Sequence, residues 1–122
     1  MSADVLSAIA TFFLSRGFKV EKDANVVGVS GLSHSFTLKI SRGSLQLLLD
    51  VVEKVEDLIA LCGKALDLRG VPVLALVRTG EGDPEVQHAL DCLGNVFVFK
   101  TLEELEESLA RVPALAEAGE KP

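Results

Sequence analysis

The sequence predicts an α/β fold in which helices cover a mixed β-sheet. Three observations indicate it: an amphipathic helix at the start, an alternating stretch followed by a strongly apolar one, and later apolar strands separated by helical patterns. The early strands are expected to form an antiparallel meander, whereas strands separated by helices must run parallel through crossover connections. The predicted element order is α-β-β-β-α-β-α-β-α.

The first part of the chain is predicted to contain one helix, one short strand and a loop. Apolar residues at helical spacing predict a helix over residues 3–16, which Gly17 ends. Residues 18–22 alternate like a short strand, and residues 23–25 indicate a turn. The Gly- and Ser-rich stretch 28–33 indicates a loop or a bulged strand.

A β-hairpin is predicted to follow. Residues 34–41 alternate between apolar and polar, and the strongly apolar residues 44–52 form the return strand. With Arg42-Gly43 as a two-residue turn, Asp50 lies opposite Ser35 and diagonal to Thr37. One face of this hairpin is then polar, and it also carries Lys39 and Gln46. The other face is expected to be core, with His34, Phe36, Leu38, Ile40, Leu45, Leu47, Leu49 and Val51.

The second half of the chain is predicted to alternate helices with strands. Apolar spacing predicts a helix over residues 54–68 and a buried strand over residues 71–77. Asp83-Pro84 is typical of a helix start, and Gly94 of its end. Residues 96–99 form a short strand, after which a capping box at Thr101 and Glu104 opens the last helix.

Length and composition fit one domain. The chain has 122 residues, of which 48% are hydrophobic, so a single core is expected. Residues 1–111 are assigned to this domain and residues 112–122 to a flexible acidic tail. Neither a membrane-spanning run nor a basic segment typical of a secretory signal is found, so a cytoplasmic protein without membrane contact is expected.

Three pieces of the sequence resemble the PD-(D/E)xK nuclease superfamily. They are the run Gly31-x-x-His34-x-Phe36-Thr37, the strand that carries Asp50, and the helix that ends Lys64-Ala-Leu-Asp67. The chain is similar in particular to small archaeal members and to the Holliday-junction-resolvase and Mrr-like branches. The resemblance covers about residues 3–80, and it implies a restriction-endonuclease-like α-β-β-β-α-β core, extended here by a further α-β-α.

The resemblance also implies a degenerate active site. The family's chemistry needs an Asp on the second strand and an Asp/Glu-x-Lys motif at the end of the third, where two carboxylates hold Mg²⁺. Here Thr37 occupies the first Asp position, Asp50 the second acidic position and Val52 the Lys position. Lys54 could fold back as a replacement lysine, whereas Lys64 is expected to face solvent because it lies opposite the apolar face of its helix.

The candidate catalytic residues are therefore Asp50, Thr37 and Lys54, with Asp50 as the metal ligand. No cofactor is expected, and Mg²⁺ would bind only if a rearranged site were active. The candidate binding residues are Ser33, His34, Ser35, Lys39 and Gln46. For His34 two roles stay open: a core or loop-anchoring residue, and a ligand or nucleic-acid contact.

The net charge limits which partners the sequence predicts, and the two cysteines bear on the redox environment of the protein. The net charge of −6 argues against strong binding of nucleic acid, although the mildly basic segment 16–42 allows weak contact. Cys62 and Cys92 are expected to be reduced, and a bridge between them stays open only for a hyperthermophile, where intracellular disulfides occur. The scarcity of Asn, Gln and Met also indicates a thermophile.

Three functions are compatible with these observations. The first is a non-catalytic relative of the nucleases that acts as a binding or assembly module in DNA metabolism. The second is an active metal-dependent nuclease with a rearranged site around Asp50. The third is an unrelated α/β interaction module. A homodimer is expected in each case, because the chain is apolar for its size and an edge strand or helix face needs cover.

Overall fold

The computed structural model describes residues 2–68, 70–78 and 94–110. The predicted helix that starts at Asp83, the tail 112–122 and Cys92 lie outside the described residues. The elements are helix α1 (Ser2–Leu14), strands β1 (Lys19–Val27), β2 (Ser33–Arg42) and β3 (Leu45–Val52), helix α2 (Val55–Asp67), strands β4 (Val73–Val77) and β5 (Val96–Phe99), and helix α3 (Leu102–Ala110).

The five strands form one mixed sheet in the order β1-β2-β3-β4-β5. Strands β1, β2 and β3 are antiparallel neighbours, whereas β3, β4 and β5 run parallel. Helix α2 connects β3 with β4, as parallel neighbours require. The predicted α/β fold with a mixed sheet is therefore confirmed, and so is the element order α-β-β-β-α-β as far as Val77.

Helices bury both faces of the sheet. Helices α1 and α3 cover one face, where Ile9, Phe13 and Leu105 are fully buried. Helix α2 covers the other face with Leu58, Leu61 and Ala65, which pack against Phe36, Leu48, Val52, Val73, Ala75 and Val96. Leu48 lies on the hairpin face that was predicted to be polar, and it belongs to this second core. In the described part of the chain, no helix is long and apolar enough to cross a membrane.

Strand β1 is longer than predicted. The turn predicted at residues 23–25 lies inside the strand, which pairs with β2 along its whole length except at Asp23. Asp23 has a φ of 51°, in the left-handed region that Asp tolerates better than most residues. The strand therefore deforms at one residue and continues.

The hairpin turns one residue later than predicted. Gly43-Ser44 forms the two-residue turn, so that Arg42 pairs with Leu45. Gly43 has a φ of 63°, which only glycine adopts freely. The predicted turn at Arg42-Gly43 is therefore wrong, and every predicted partner shifts by two residues. This shift brings Asp50 beside Thr37.

The side chains of β2 change face near Thr37. Phe36 packs under α2, whereas Leu38 packs on the opposite face of the sheet. The prediction that His34 and Phe36 share a face with Leu38 is therefore wrong. Ladder pairing between β2 and β3 ends at Leu38 and Leu49. The preceding residues of β2 thus meet α2, and they form the sites described below.

Candidate functional site

Asp50 lies near the carboxyl end of β3, on the face that α2 covers. Its Oδ1 accepts hydrogen bonds from the hydroxyl of Thr37 (3.0 Å) and from the backbone N–H of Thr37 (3.3 Å). The side chain is 18% exposed, so these bonds lie in a partly desolvated place. The structure thus brings together two positions of the predicted degenerate site.

Lys64 of α2 provides a positive charge beside Asp50. Its Nζ lies 2.8 Å from Oδ2 of Asp50, donates to the carbonyl of Ser35 at 2.5 Å, and sits 4.9 Å from the centroid of the Phe36 ring. The side chain is 20% exposed. The prediction that Lys64 faces solvent is wrong, because β2 turns towards α2 here and a long lysine side chain reaches past packed neighbours.

The donor set around Asp50 does not fit Mg²⁺. Both carboxylate oxygens already accept hydrogen bonds, from Thr37 and from Lys64, and the ammonium group neutralises the charge. Mg²⁺ prefers several oxygen ligands in octahedral geometry and is usually held by carboxylates. Among residues 2–68, 70–78 and 94–110, no group of three His, Cys, Asp or Glu residues could hold a metal ion. Thr37, Asp50 and Lys64 therefore form a partly buried cluster that links β2, β3 and α2.

Lys54 does not replace the missing lysine in this arrangement. It is exposed and forms the N-cap of α2, where its backbone N–H donates to the carboxylate of Asp57 at 3.2 Å. Val52, at the position of the family's lysine, is buried in the core under α2. The lysine that reaches Asp50 therefore comes from the helix and not from the strand.

The other candidate binding residues are spread along the hairpin. Ser33 is exposed at the start of β2, and Gln46 pairs with Ser41 near the turn. Lys39 pairs with Leu48, two positions from Asp50, which corresponds to about 7 Å along a strand. This distance is roughly half of what the predicted register implies, which places Lys39 closer to Asp50 than expected.

A second polar cluster joins the β1–β2 loop to the C-terminal end of α2. Its centre is Asp67, whose Oδ2 accepts from the hydroxyl of Ser30 (2.6 Å) and whose Oδ1 accepts from the N–H of Ser30 (2.8 Å). His34 Nε2 lies 2.7 Å from Oδ2, and Val29 donates its N–H to the Asp67 carbonyl at 2.8 Å. Of the two roles left open for His34, the structure shows the loop anchor.

This cluster contains serine, histidine and aspartate without the geometry of a nucleophilic triad. A triad needs histidine between the other two, so that it can take the proton of the hydroxyl. Here Ser30 and His34 both bind the carboxylate of Asp67, and the serine proton points to that carboxylate. The cluster therefore fixes a loop and does not activate a nucleophile.

The sequence contained one signal for this cluster. Gly28 approaches Asp67 so closely that a Cβ atom would overlap with the carboxylate and lie 2.9 Å from the carbonyl oxygen. A glycine just before Val29 and Ser30 is a usual mark of close backbone approach. The partner at Asp67 could not be read from the sequence, because 37 residues separate it from Ser30.

Cys62 carries no signal of reactivity. It is a free, half-buried thiol of α2, and burial raises its pKa. A raised pKa lowers the fraction of reactive thiolate at neutral pH. The residue therefore belongs to the packing of the helix.

The comparisons with known proteins support the fold alone. No protein-family model matches the chain, and no curated protein matches it. A crystal structure of a protein of unknown function, AF1548, is similar over 92% of this chain and 75% of that chain, with a TM-score of 0.58 and 14% sequence identity. The chain therefore shares an α/β architecture with a solved protein whose function is itself unknown.

Acid is expected to weaken the Asp67 cluster over a defined range of pH. The hydroxyl of Ser30, then His34, then the N–H of Ser30 lower the pKa of Asp67 from 3.8 to about 2. Because the folded pKa is the lower one, this stabilisation is complete well above pH 3.8, begins to decline as the pH approaches 3.8, and is lost as the pH falls towards 2.

The measurement is urea unfolding of the wild type and of Asp67→Asn between pH 6 and pH 2, a range that brackets the titration about the two pKa values. The stability difference between the two proteins should be constant above about pH 5 and should shrink below pH 4. A difference that stays constant down to pH 2 would show that the carboxylate is not held in its ionised form.

Proposed function

We propose that the chain is a non-catalytic relative of the PD-(D/E)xK nucleases, which acts as a binding module. The observation that carries this proposal is the state of Asp50: Lys64 neutralises it, Thr37 occupies its other oxygen, and Val52 stands where the family has lysine. A nuclease of this class needs a negatively charged pocket that attracts Mg²⁺. In this chain Asp50, Thr37 and Lys64 form a cluster without net charge in place of that pocket.

The face of the sheet beside Asp50 supports weak contact with nucleic acid. Antiparallel partners share a face, so Lys19 and Lys39 lie on the side of α2 together with Gln46. Glu21 pairs with Lys39 and reduces the positive charge of this face. Two lysines and a net charge of −6 for the chain are compatible with weak, salt-sensitive contacts to a phosphate backbone.

The first test is cleavage of linear, plasmid and branched DNA with Mg²⁺ or Mn²⁺. The wild type is expected to cleave no more than Asp50→Asn, and titration calorimetry with Mn²⁺ is expected to show no difference between the two proteins. Metal-dependent cleavage that disappears in Asp50→Asn would contradict the proposal.

The second test is binding of fluorescent DNA at low salt, measured by anisotropy. The wild type should bind weakly and lose affinity as salt rises, and Lys19→Gln/Lys39→Gln should bind less and show a shallower salt dependence. Lys22→Gln is the matched control, because Lys22 pairs with Leu38 and lies on the other face. Equal binding by both variants would remove the sheet face as the contact surface.

One observation favours an active nuclease as the second candidate function. Lys64 reaches Asp50 from α2, so the site does contain a lysine within 2.8 Å of its acidic residue. In that case cleavage should be lost in Lys64→Met as well as in Asp50→Asn, while both proteins remain folded. The cleavage assay with these two variants separates the two functions.

A further inference from the structure

The distal half of the β1–β2 hairpin separates from the rest of the sheet. Strand β3 continues to Val52, but its ladder with β2 ends at Leu38. At the next position the backbone N–H of Thr37 donates to the carboxylate of Asp50 at 3.3 Å, in place of a backbone carbonyl of β3. Beyond this point the described ladder joins β2 to β1 alone, so residues 24–36 form a two-stranded arm.

Both strands of the arm deform at the same level. Asp23 of β1 has a φ of 51°, and within the described ranges it is the one non-glycine residue with a positive φ. Thr37, near which β2 changes face, lies opposite Asp23 in the register of the two strands. Backbone departures confined to a few facing positions are typical of hinges. We therefore name Asp23 and Thr37 the hinge, and residues 24–36 the arm.

The arm is held on α2 by few contacts. Of its residues Phe36 alone is buried, against α2, and Val26 is partly buried in the same core. At the tip of the arm, Asp67 of α2 accepts from the hydroxyl and the N–H of Ser30, and His34 Nε2 lies 2.7 Å from its Oδ2. A segment with little buried area opens at a lower free energy than the core of the same protein.

The closed arm also fixes the side chain of Lys64 beside Asp50. The ammonium group of Lys64 donates to the carbonyl of Ser35 at 2.5 Å and lies 4.9 Å from the centroid of the Phe36 ring, and both groups belong to the arm. An open arm would remove these two contacts together. The ammonium group, now 2.8 Å from Oδ2 of Asp50, would then be held by the ion pair alone and would meet solvent.

We propose that the arm opens as one unit about the hinge, that Asp67 is the latch that keeps it closed, and that the closed arm holds Lys64 against Asp50. The arm is then a two-state element through which the tip of the hairpin influences the Asp50 pair. This inference does not rest on the proposed function, since the arm opens in the same way whether or not Asp50 belongs to a former active site.

The experiment is residue-resolved amide hydrogen exchange by NMR, combined with the rate at which an amine-acylating reagent labels Lys64, read by mass spectrometry. In the wild type, the amides of Val29 and Ser30, which both donate to Asp67, should show the same opening free energy. The amide of Leu48 lies in the β3–β4 core and should be more protected, because it exchanges only when the whole protein unfolds.

Asp67→Ala removes the latch but keeps the backbone carbonyl that accepts from Val29. Exchange at Ser30 and at Val29 should both rise by about 10- to 100-fold, because hydrogen bonds to a charged group are lost from the closed arm only. Labelling of Lys64 should rise as well. Since Lys64 contacts the arm at Ser35, near the hinge, its response shows that the arm moves as a whole.

Asp57→Ala is the matched control. The carboxylate of Asp57 accepts from the N–H groups of Glu53 and Lys54 at the other end of α2, so its loss affects the open and the closed arm equally. Exchange at Val29 and Ser30 should therefore keep its wild-type rate.

Two results would overturn the proposal. One is a wild type in which Val29 is as protected as Leu48, since the arm would then open only in global unfolding; this measurement needs no variant. The other is an Asp67→Ala protein in which Ser30 alone exchanges faster, while Val29 and the labelling of Lys64 keep their wild-type rates.

Discussion

Lys64→Met is expected to destabilise the fold by about 2 kcal/mol. The substitution leaves the carboxylate of Asp50 partly buried without its counter-charge, and it removes a hydrogen bond to the carbonyl of Ser35. Both partners of the ion pair are about one-fifth exposed. The cost should therefore lie between the 3–5 kcal/mol of a fully buried pair and the 0–1 kcal/mol of a surface pair. Urea unfolding at pH 7 measures it.

The control is Lys22→Met, which removes an exposed lysine of β1. Its effect should stay within about 0.5 kcal/mol, as is usual for surface positions. A double-mutant cycle with Asp50→Asn isolates the ion pair: the double variant should be more stable than the sum of the single effects predicts by more than 0.5 kcal/mol. If Lys64→Met unfolds at the same urea concentration as the wild type, the ion pair between Lys64 and Asp50 makes no contribution to stability.

Gly28→Ala is expected to destabilise the protein by about 2–3 kcal/mol, although alanine is usually a harmless replacement. The new methyl group would overlap with the carboxylate of Asp67 and lie 2.9 Å from its carbonyl oxygen. That carboxylate is held by Ser30 and His34, so it cannot move aside without breaking their hydrogen bonds. Thermal and urea unfolding should both show the loss.

Gly63→Ala is the matched control for this substitution. Gly63 lies inside α2, and a Cβ atom there would meet no neighbour within 4 Å. Alanine should stabilise the helix by about 0.5–1 kcal/mol, because glycine loses more backbone entropy on folding. If both alanine variants changed stability by the same amount, the close approach of Gly28 to Asp67 would not be a constraint on the fold.

The periodicity of the sequence was sufficient to predict most helices and strands. The strand over residues 96–99 has the predicted bounds, and the helix predicted over residues 54–68 differs from α2 by one residue at each end. These segments have strong spacing and clear end signals. The turn predicted at residues 23–25 failed because a single left-handed Asp23 is accommodated inside β1.

The candidate site was predicted in part. Asp50 was predicted opposite Ser35 and diagonal to Thr37 on one face, whereas the register is two residues away and Asp50 binds Thr37 directly. Gly43 could serve as the first or the second residue of a tight turn, and local sequence does not distinguish these choices. Lys64 was missed because helical spacing gives the direction of a Cα–Cβ bond and not the reach of a four-carbon side chain.

Asn95 also makes contacts that local sequence could not predict, and no sequence motif indicated this residue. Its side-chain amide nitrogen lies within 3.3 Å of the carbonyl oxygens of Ala65, Leu68 and Val71. Carbonyls at the end of a helix lack intrahelical partners, so this amide closes α2. The contact spans 24 to 30 residues of sequence, and only the folded chain brings its members together.

The order of amino acids was enough to establish the class of the fold, the order of its elements up to β4, and the lack of an intact pair of carboxylates with a strand lysine. These properties depend on residue type and on local periodicity, which the order of amino acids contains. Which side chains meet became clear only in the folded chain: Lys64 neutralises Asp50, Asp67 anchors the β1–β2 loop, and the apolar residues of this loop face solvent. Such contacts depend on the hairpin register, which the turn at Gly43-Ser44 sets, and on where β2 changes face.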